Sequence, residues 1–174
     1  MKITSRIALV CACALLIVAP RLDAQGVRTI YLVRHADKVS EETDALLSDA
    51  GHRRAECLAA TLADAHIDKI YVSDLQRTQQ TAAPLAKKLH LTPVAMPLSK
   101  PPELIEALRA EKAANVLVVW HGSTLPGILR ALGGPEVPPL AETEYDRFYI
   151  LTLAGDRNHS DARFSALRYC DCAK

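Results

Sequence analysis

The run Thr29-Ile30-Tyr31-Leu32-Val33 is almost wholly apolar, β-branched or aromatic, and it gives way at once to Arg34-His35-Ala36-Asp37-Lys38. This pattern predicts a buried strand with polar chemistry just past its carboxyl end, the place where open α/β sheets hold ligands. Ser48-Asp49-Ala50-Gly51 then offers an N-cap, and Ala55, Leu58, Ala59 and Leu62 follow at helical spacing. Ile70-Tyr71-Val72 is a second short strand. Ser73-Asp74 is expected to cap a second helix carrying Leu75, Thr78, Ala82, Leu85 and Leu89. Leu91 to Met96 supplies a third strand, and Pro97 to Pro102 a linker whose last two prolines suit the start of a helix over Glu103 to Glu111. Asn115 to Trp120 is a continuous apolar run, as expected of a central parallel strand covered on both faces. It ends at His121-Gly122-Ser123-Thr124. A further helix carries Leu125, Ile128, Leu129 and Leu132, with Pro126 in its first turn and Gly133-Gly134 at its end. Phe148 to Leu153 and Arg163 to Tyr169 flank the turn Gly155-Asp156-Arg157-Asn158 and predict an edge hairpin.

Strand and helix alternate through most of the chain, which predicts an α/β fold with a largely parallel sheet. A length of 174 residues suits one domain. The beginning is set apart: Lys2 and Arg6 precede an apolar stretch from Ile7 to Ala19, Pro20 interrupts it, and Ala24 precedes Gln25. Residues 1–24 are therefore expected to be a secretory signal peptide, and residues 25–174 a single exported domain, periplasmic or secreted. The apolar stretch is shorter than the roughly 20 residues a membrane span needs, so no stable span is expected after cleavage. Loss of three Lys/Arg and one Asp with the leader leaves 18 basic against 19 acidic residues. A near-neutral chain without a basic face argues against a nucleic-acid partner.

Cys11 and Cys13 leave with the leader, whereas Cys57, Cys170 and Cys172 remain in a compartment that permits disulfides. Cys57 reads as a small buried helix residue, and Cys170-Asp171-Cys172 as a tail of no catalytic consequence. His52 and His66 read as helix-surface or helix-end residues.

Arg34, His35, Arg77 and His121 lie far apart in sequence, yet each follows a predicted strand end. A parallel sheet gathers such residues on one rim, and two guanidinium groups with two imidazoles make a pocket for a phosphoryl group. One neutral imidazole can attack phosphorus while the arginines hold the equatorial oxygens, and their charge disfavours the imidazolium. No Gly-rich nucleotide loop is present.

Leu32-Val33-Arg34-His35-Ala36-Asp37 resembles the Arg-His-Gly signature of the histidine phosphatase superfamily, the phosphoglycerate-mutase-like group, with Ala36 in place of glycine. Leu47 to Gly51 is similar to that family's turn into its first helix, Ser73 to Ala82 to its second motif, and Val118 to Gly122 to its third. The likeness covers about residues 27–169. It implies a three-layer α/β/α sandwich with a mostly parallel central sheet and an antiparallel edge. It also implies a metal-independent and cofactor-free phosphohydrolase acting on a small phosphorylated substrate, either a phosphate monoester or phosphohistidine. His35 would be the phosphorylated nucleophile, Arg34 and Arg77 would hold the phosphoryl oxygens, and His121 would stabilise the same group. Relatives often take a proton donor from the segment after the second motif, where Glu103 is the first candidate beside Glu106, with Asp37 a third. Trp120 and Gly122-Ser123-Thr124 depart from the pattern and are expected to bear on substrate fit. Long capping insertions are lacking, which favours a small open phosphohydrolase over a mutase. The rival from another class is a catalytically weak binding module for phosphorylated glycan or lipopolysaccharide. A metal hydrolase using His35, Asp37 and His121 is disfavoured by the flanking arginines, and a purely structural envelope protein by the four convergent residues.

Overall fold

The computed structural model describes residues 27–155 and 160–170. The expected leader, most of the predicted hairpin turn and Cys172 lie outside the described residues. The elements are β1 (Arg28–Arg34), α1 (Asp49–Thr61), β2 (Lys69–Ser73), α2 (Gln76–Leu89), β3 (Val94–Met96), α3 (Pro101–Ala110), β4 (Asn115–Trp120), α4 (Leu125–Ala131), β5 (Arg147–Gly155) and β6 (Ser160–Arg168).

The sheet order is β3-β2-β4-β1-β5-β6. β1 pairs parallel with β4 and β4 parallel with β2, whereas β5 and β6 run antiparallel at the edge. Period-two alternation sorts the side chains of the central strands onto two faces. Ile30, Leu32, Val116, Val118 and Trp120 pack with Leu104, Leu108, Ile128 and Leu129 of α3 and α4. Val33, Leu117 and Val119 pack with Leu58, Ala59, Ala82 and Leu85 of α1 and α2. The molecule thus has three layers, with a core on each side of the sheet. Among the described residues no helix is long and apolar enough to cross a membrane.

Several local expectations need correction. Pro101 and Pro102 are already helical, because proline fits the first helical turn, where its missing N–H has no intrahelical partner to lose. β3 is only three residues long, and Leu91 instead returns its N–H to Ala86 at the end of α2. Neither Ser73 nor Asp74 is the cap of α2. The Asp74 carboxylate accepts from the Leu98 backbone N–H at 2.9 Å, and Asp44 from a distant loop accepts from Gln76 N–H at 2.7 Å. Cys57 is not merely a buried helix residue and Cys170 not a loose tail: they form a disulfide with Cα atoms 6.0 Å apart. The sequence held no signal for that pairing, since which of three cysteines meet is decided by where β6 returns the chain.

Past the end of β1 the backbone is held firmly. His35 N–H donates to the Trp120 carbonyl at 2.8 Å, extending the β1–β4 ladder by one residue. Ala36 N–H donates to Thr81 Oγ1 at 2.9 Å, and Asp37 O accepts from Ser48 N–H at 2.9 Å. Gly51 in the first turn of α1 comes so close that a Cβ there would sit 2.1 Å from the Asp37 carbonyl oxygen. Only glycine permits that approach.

Candidate active site

Four residues from three strand ends meet on one rim. Arg34 closes β1 and His35 follows it; His121 follows β4; Arg77 is the second residue of α2, just past β2. The β1–β4 pairing puts Arg34 opposite Trp120, so His35 and His121 come out side by side, with ring centroids 5.3 Å apart. Arg34, His35 and His121 are buried, at 8%, 4% and 6% exposure, and Arg77 is half-buried.

His35 Nδ1 lies 2.8 Å from the Ala36 carbonyl oxygen. A carbonyl only accepts, so Nδ1 carries the hydrogen in the neutral ring and Nε2 keeps its lone pair. Burial, and then the charges of Arg77, Arg34 and Lys38, hold the His35 pKa down at about 4, with the Ala36 hydrogen bond acting in the opposite sense. His121 is the complementary tautomer. Arg77 Nη2–H donates to its Nδ1 at 3.2 Å, and its Nε2–H donates to Ser73 Oγ at 2.8 Å. Burial, then His35, Arg77 and Arg34, lower its pKa to about 3.

Each arginine is held by backbone carbonyls rather than a carboxylate. Arg34 Nη1 donates to Ala141 O and Glu142 O at 2.8 Å each and to Glu144 O at 3.3 Å. Arg77 Nη1 donates to Thr43 O. Neither guanidinium is neutralised by an acid in direct contact, and the Nε of each is buried without a hydrogen-bond partner among the described residues. A buried N–H donor without a partner is costly, and an anion oxygen can satisfy it. Two such donors beside two neutral imidazoles make a preorganised anion pocket.

The residues flanking these four divide clearly. Trp120 is fully buried in the core, its ring 5.9 Å from that of His121. Gly122 lies beside Arg34: a Cβ there would be 3.2 Å from Arg34 Cδ and 3.3 Å from Arg34 Nε. Asp37 is turned away onto Arg54, 2.7 Å from its Nε, so it is not available with His35 and His121 as a metal ligand. Glu103 is half-exposed and pairs with Lys100 at 2.8 Å; Glu106 is exposed on the same helix. Among the described residues no group of three or more His, Cys, Asp or Glu is placed to hold a metal.

Sequence reasoning missed Ser73, which fixes His121, and Tyr145, whose ring lies 4.2 Å from Arg34 Cζ and 5.9 Å from the His35 ring centroid. Ser73 had a signal, since it ends a strand on the same rim. Tyr145 had none, because the stretch before β5 has no periodicity.

The fold is therefore α/β, with a mixed six-stranded sheet whose parallel strands deliver two imidazoles and two arginines to one rim. The resemblance seen in the motifs is borne out: a model of the histidine phosphatase superfamily (branch 1) matches residues 30–107. The fold is shared with a mycobacterial hydrolase (TM-score 0.65, 15% identity, 80% of this chain and 97% of that one). It is shared also with the mycobacterial glucosyl-3-phosphoglycerate phosphatase (TM-score 0.62, 16% identity, 82% and 99%). A candidate phosphohistidine phosphatase SixA from Nakamurella multipartitia aligns at TM-score 0.60 and 23% identity, over 84% and 99%. No curated relative matches the sequence.

Proposed function

We propose that the protein is a phosphatase for small phosphorylated substrates, working through a phosphohistidine on His35 without a metal or cofactor. The observation that carries this reading is the His35 tautomer: Nδ1 is committed to the Ala36 carbonyl, which leaves the Nε2 lone pair free among Arg34, Arg77 and His121. In the forward step Nε2 bonds to phosphorus as the bond to the leaving group breaks; water then attacks the phosphohistidine, releasing phosphate and restoring the imidazole. Arg34 and Arg77 offer Nε–H donors to the phosphoryl oxygens as their charge develops. Names of proteins sharing the fold support a phosphorylated substrate, and one of them names phosphohistidine.

Glu103 is the proposed proton donor. Its bridge to Lys100 is an exposed i,i+3 pair, a kind of link worth little and easily exchanged for a substrate contact. Export to the periplasm or beyond is part of the same reading and rests on the leader pattern of residues 1–24.

The test is hydrolysis of nitrophenyl phosphate and an alkyl phosphate by the purified chain lacking the leader. His35→Gln should abolish turnover of both, vanadate should inhibit, and EDTA should not. Glu103→Gln should lose far more on the alkyl ester, whose alkoxide needs acid help worth roughly 10² to 10⁴ in rate. Near-wild-type turnover by His35→Gln would falsify the nucleophile assignment. Loss of activity on chelation, restored by added zinc, would replace the metal-free reading.

A further inference from the structure

Arg34 is enclosed on several sides. Three carbonyls of residues 141–144 take its Nη1, and its Cδ and Nε lie where a Cβ at Gly122 would come within 3.2 and 3.3 Å of them. The Tyr145 ring lies against its Cζ at 4.2 Å. Hydrogen bonds to a single nitrogen fix where a guanidinium ends but leave it able to tilt about that end. An aromatic face removes this freedom, because the planar cation lies flat against the ring quadrupole. Tyr145 also meets His35, its ring tilted 56° to the imidazole at 5.9 Å. It therefore touches the two adjacent residues that must stay in register if phosphorus is to be attacked and held together. Its half-buried position is that of a wall and not of core filling.

We propose that Tyr145 is a positioning residue of this site, setting the plane of the Arg34 guanidinium so that its unpartnered Nε–H meets a phosphoryl oxygen. This deepens the phosphatase reading and rests on it only for the identity of the anion. The ring, not the hydroxyl, is the working part. Tyr145→Phe should therefore keep most of the function, and Tyr145→Leu, which fills space without a π face, should not.

The experiment is calorimetric binding of vanadate by the exported domain, with nitrophenyl phosphate kinetics alongside. Tyr145→Leu should weaken vanadate binding by roughly 2- to 30-fold, the range a cation–π contact spans from exposed to desolvated settings. Tyr145→Phe should restore most of that affinity. In an Arg34→Ala background Tyr145→Leu should have little further effect, a coupling that general loosening of the fold would not produce. The proposal is overturned if Tyr145→Leu binds vanadate as tightly as wild type, if Tyr145→Phe loses as much as Tyr145→Leu, or if the Leu effect persists undiminished without Arg34. A wild type that binds vanadate but hydrolyses no phosphate ester would sink the phosphatase reading and leave this one to be judged on affinity. A wild type that does not bind vanadate at all would overturn both.

Discussion

At the scale of single residues, the pocket is tuned by keeping two imidazoles neutral. Both titrate below the ordinary 6.5, His35 at about 4 and His121 at about 3. An unfolded chain takes up these protons as the pH falls below 6.5, whereas the native chain resists them. The associated stability is therefore fully present above pH 6.5 and is lost as the pH falls through about 4 and then about 3. A bound dianion reverses the charge balance and draws a proton onto the site. Sulfate, which stays a dianion across this range, should bind more tightly as the pH falls from 7 towards 4, and then level off; calorimetry at fixed ionic strength reads this. A pH-independent sulfate affinity would mean that neither imidazole faces the anion. Arg34, His35 and His121 were legible in the sequence because the Arg34-His35 pair and His121 each come directly after an apolar run. What holds the arginines was not legible, since Thr43, Ala141, Glu142 and Glu144 act through carbonyl oxygens that every residue type possesses.

At the scale of elements, α2 depends on a loop 32 residues earlier in the chain. Asp44 accepts from Gln76 N–H at 2.7 Å and from its side-chain amide at 3.1 Å, while the neighbouring Thr43 carbonyl holds Arg77. These bonds to Gln76 lower the Asp44 pKa. One loop thus closes the helix start and sets the arginine that follows it. Asp44→Ala should lower thermal stability and, beyond that, raise KM for a phosphate ester more than it lowers kcat, because Arg77 is misplaced but present. An unchanged KM would show that Arg77 holds its place without the loop. The helix itself was evident from its spacing, but its cap was assigned to Ser73-Asp74 because local residues are the usual source. The fold instead spends Ser73 on His121 and Asp74 on Leu98.

At the scale of the whole molecule, the Cys57–Cys170 disulfide fastens the end of the chain to its first helix. Arg54 bridges the two regions, donating to Cys170 O at 3.3 Å and to Asp37 Oδ2 at 2.7 Å. Cross-links that close a long loop stabilise by about 2–4 kcal/mol, here across a separation of 113 residues. Reduction, or Cys57→Ser, should lower Tm by roughly 5–15 °C in calorimetry. An identical Tm with and without reductant would show that the bridge contributes nothing to stability. The same bridge divides the chain into two parts that are not equivalent. Everything from the middle of α1 to the end of β6 lies inside a covalent ring, while β1 lies outside it, although it occupies the place between β4 and β5. The strand that ends in Arg34 leaves the ribosome before either of its partners, so the site it carries is incomplete until β4 and β5 have both been made and paired with it.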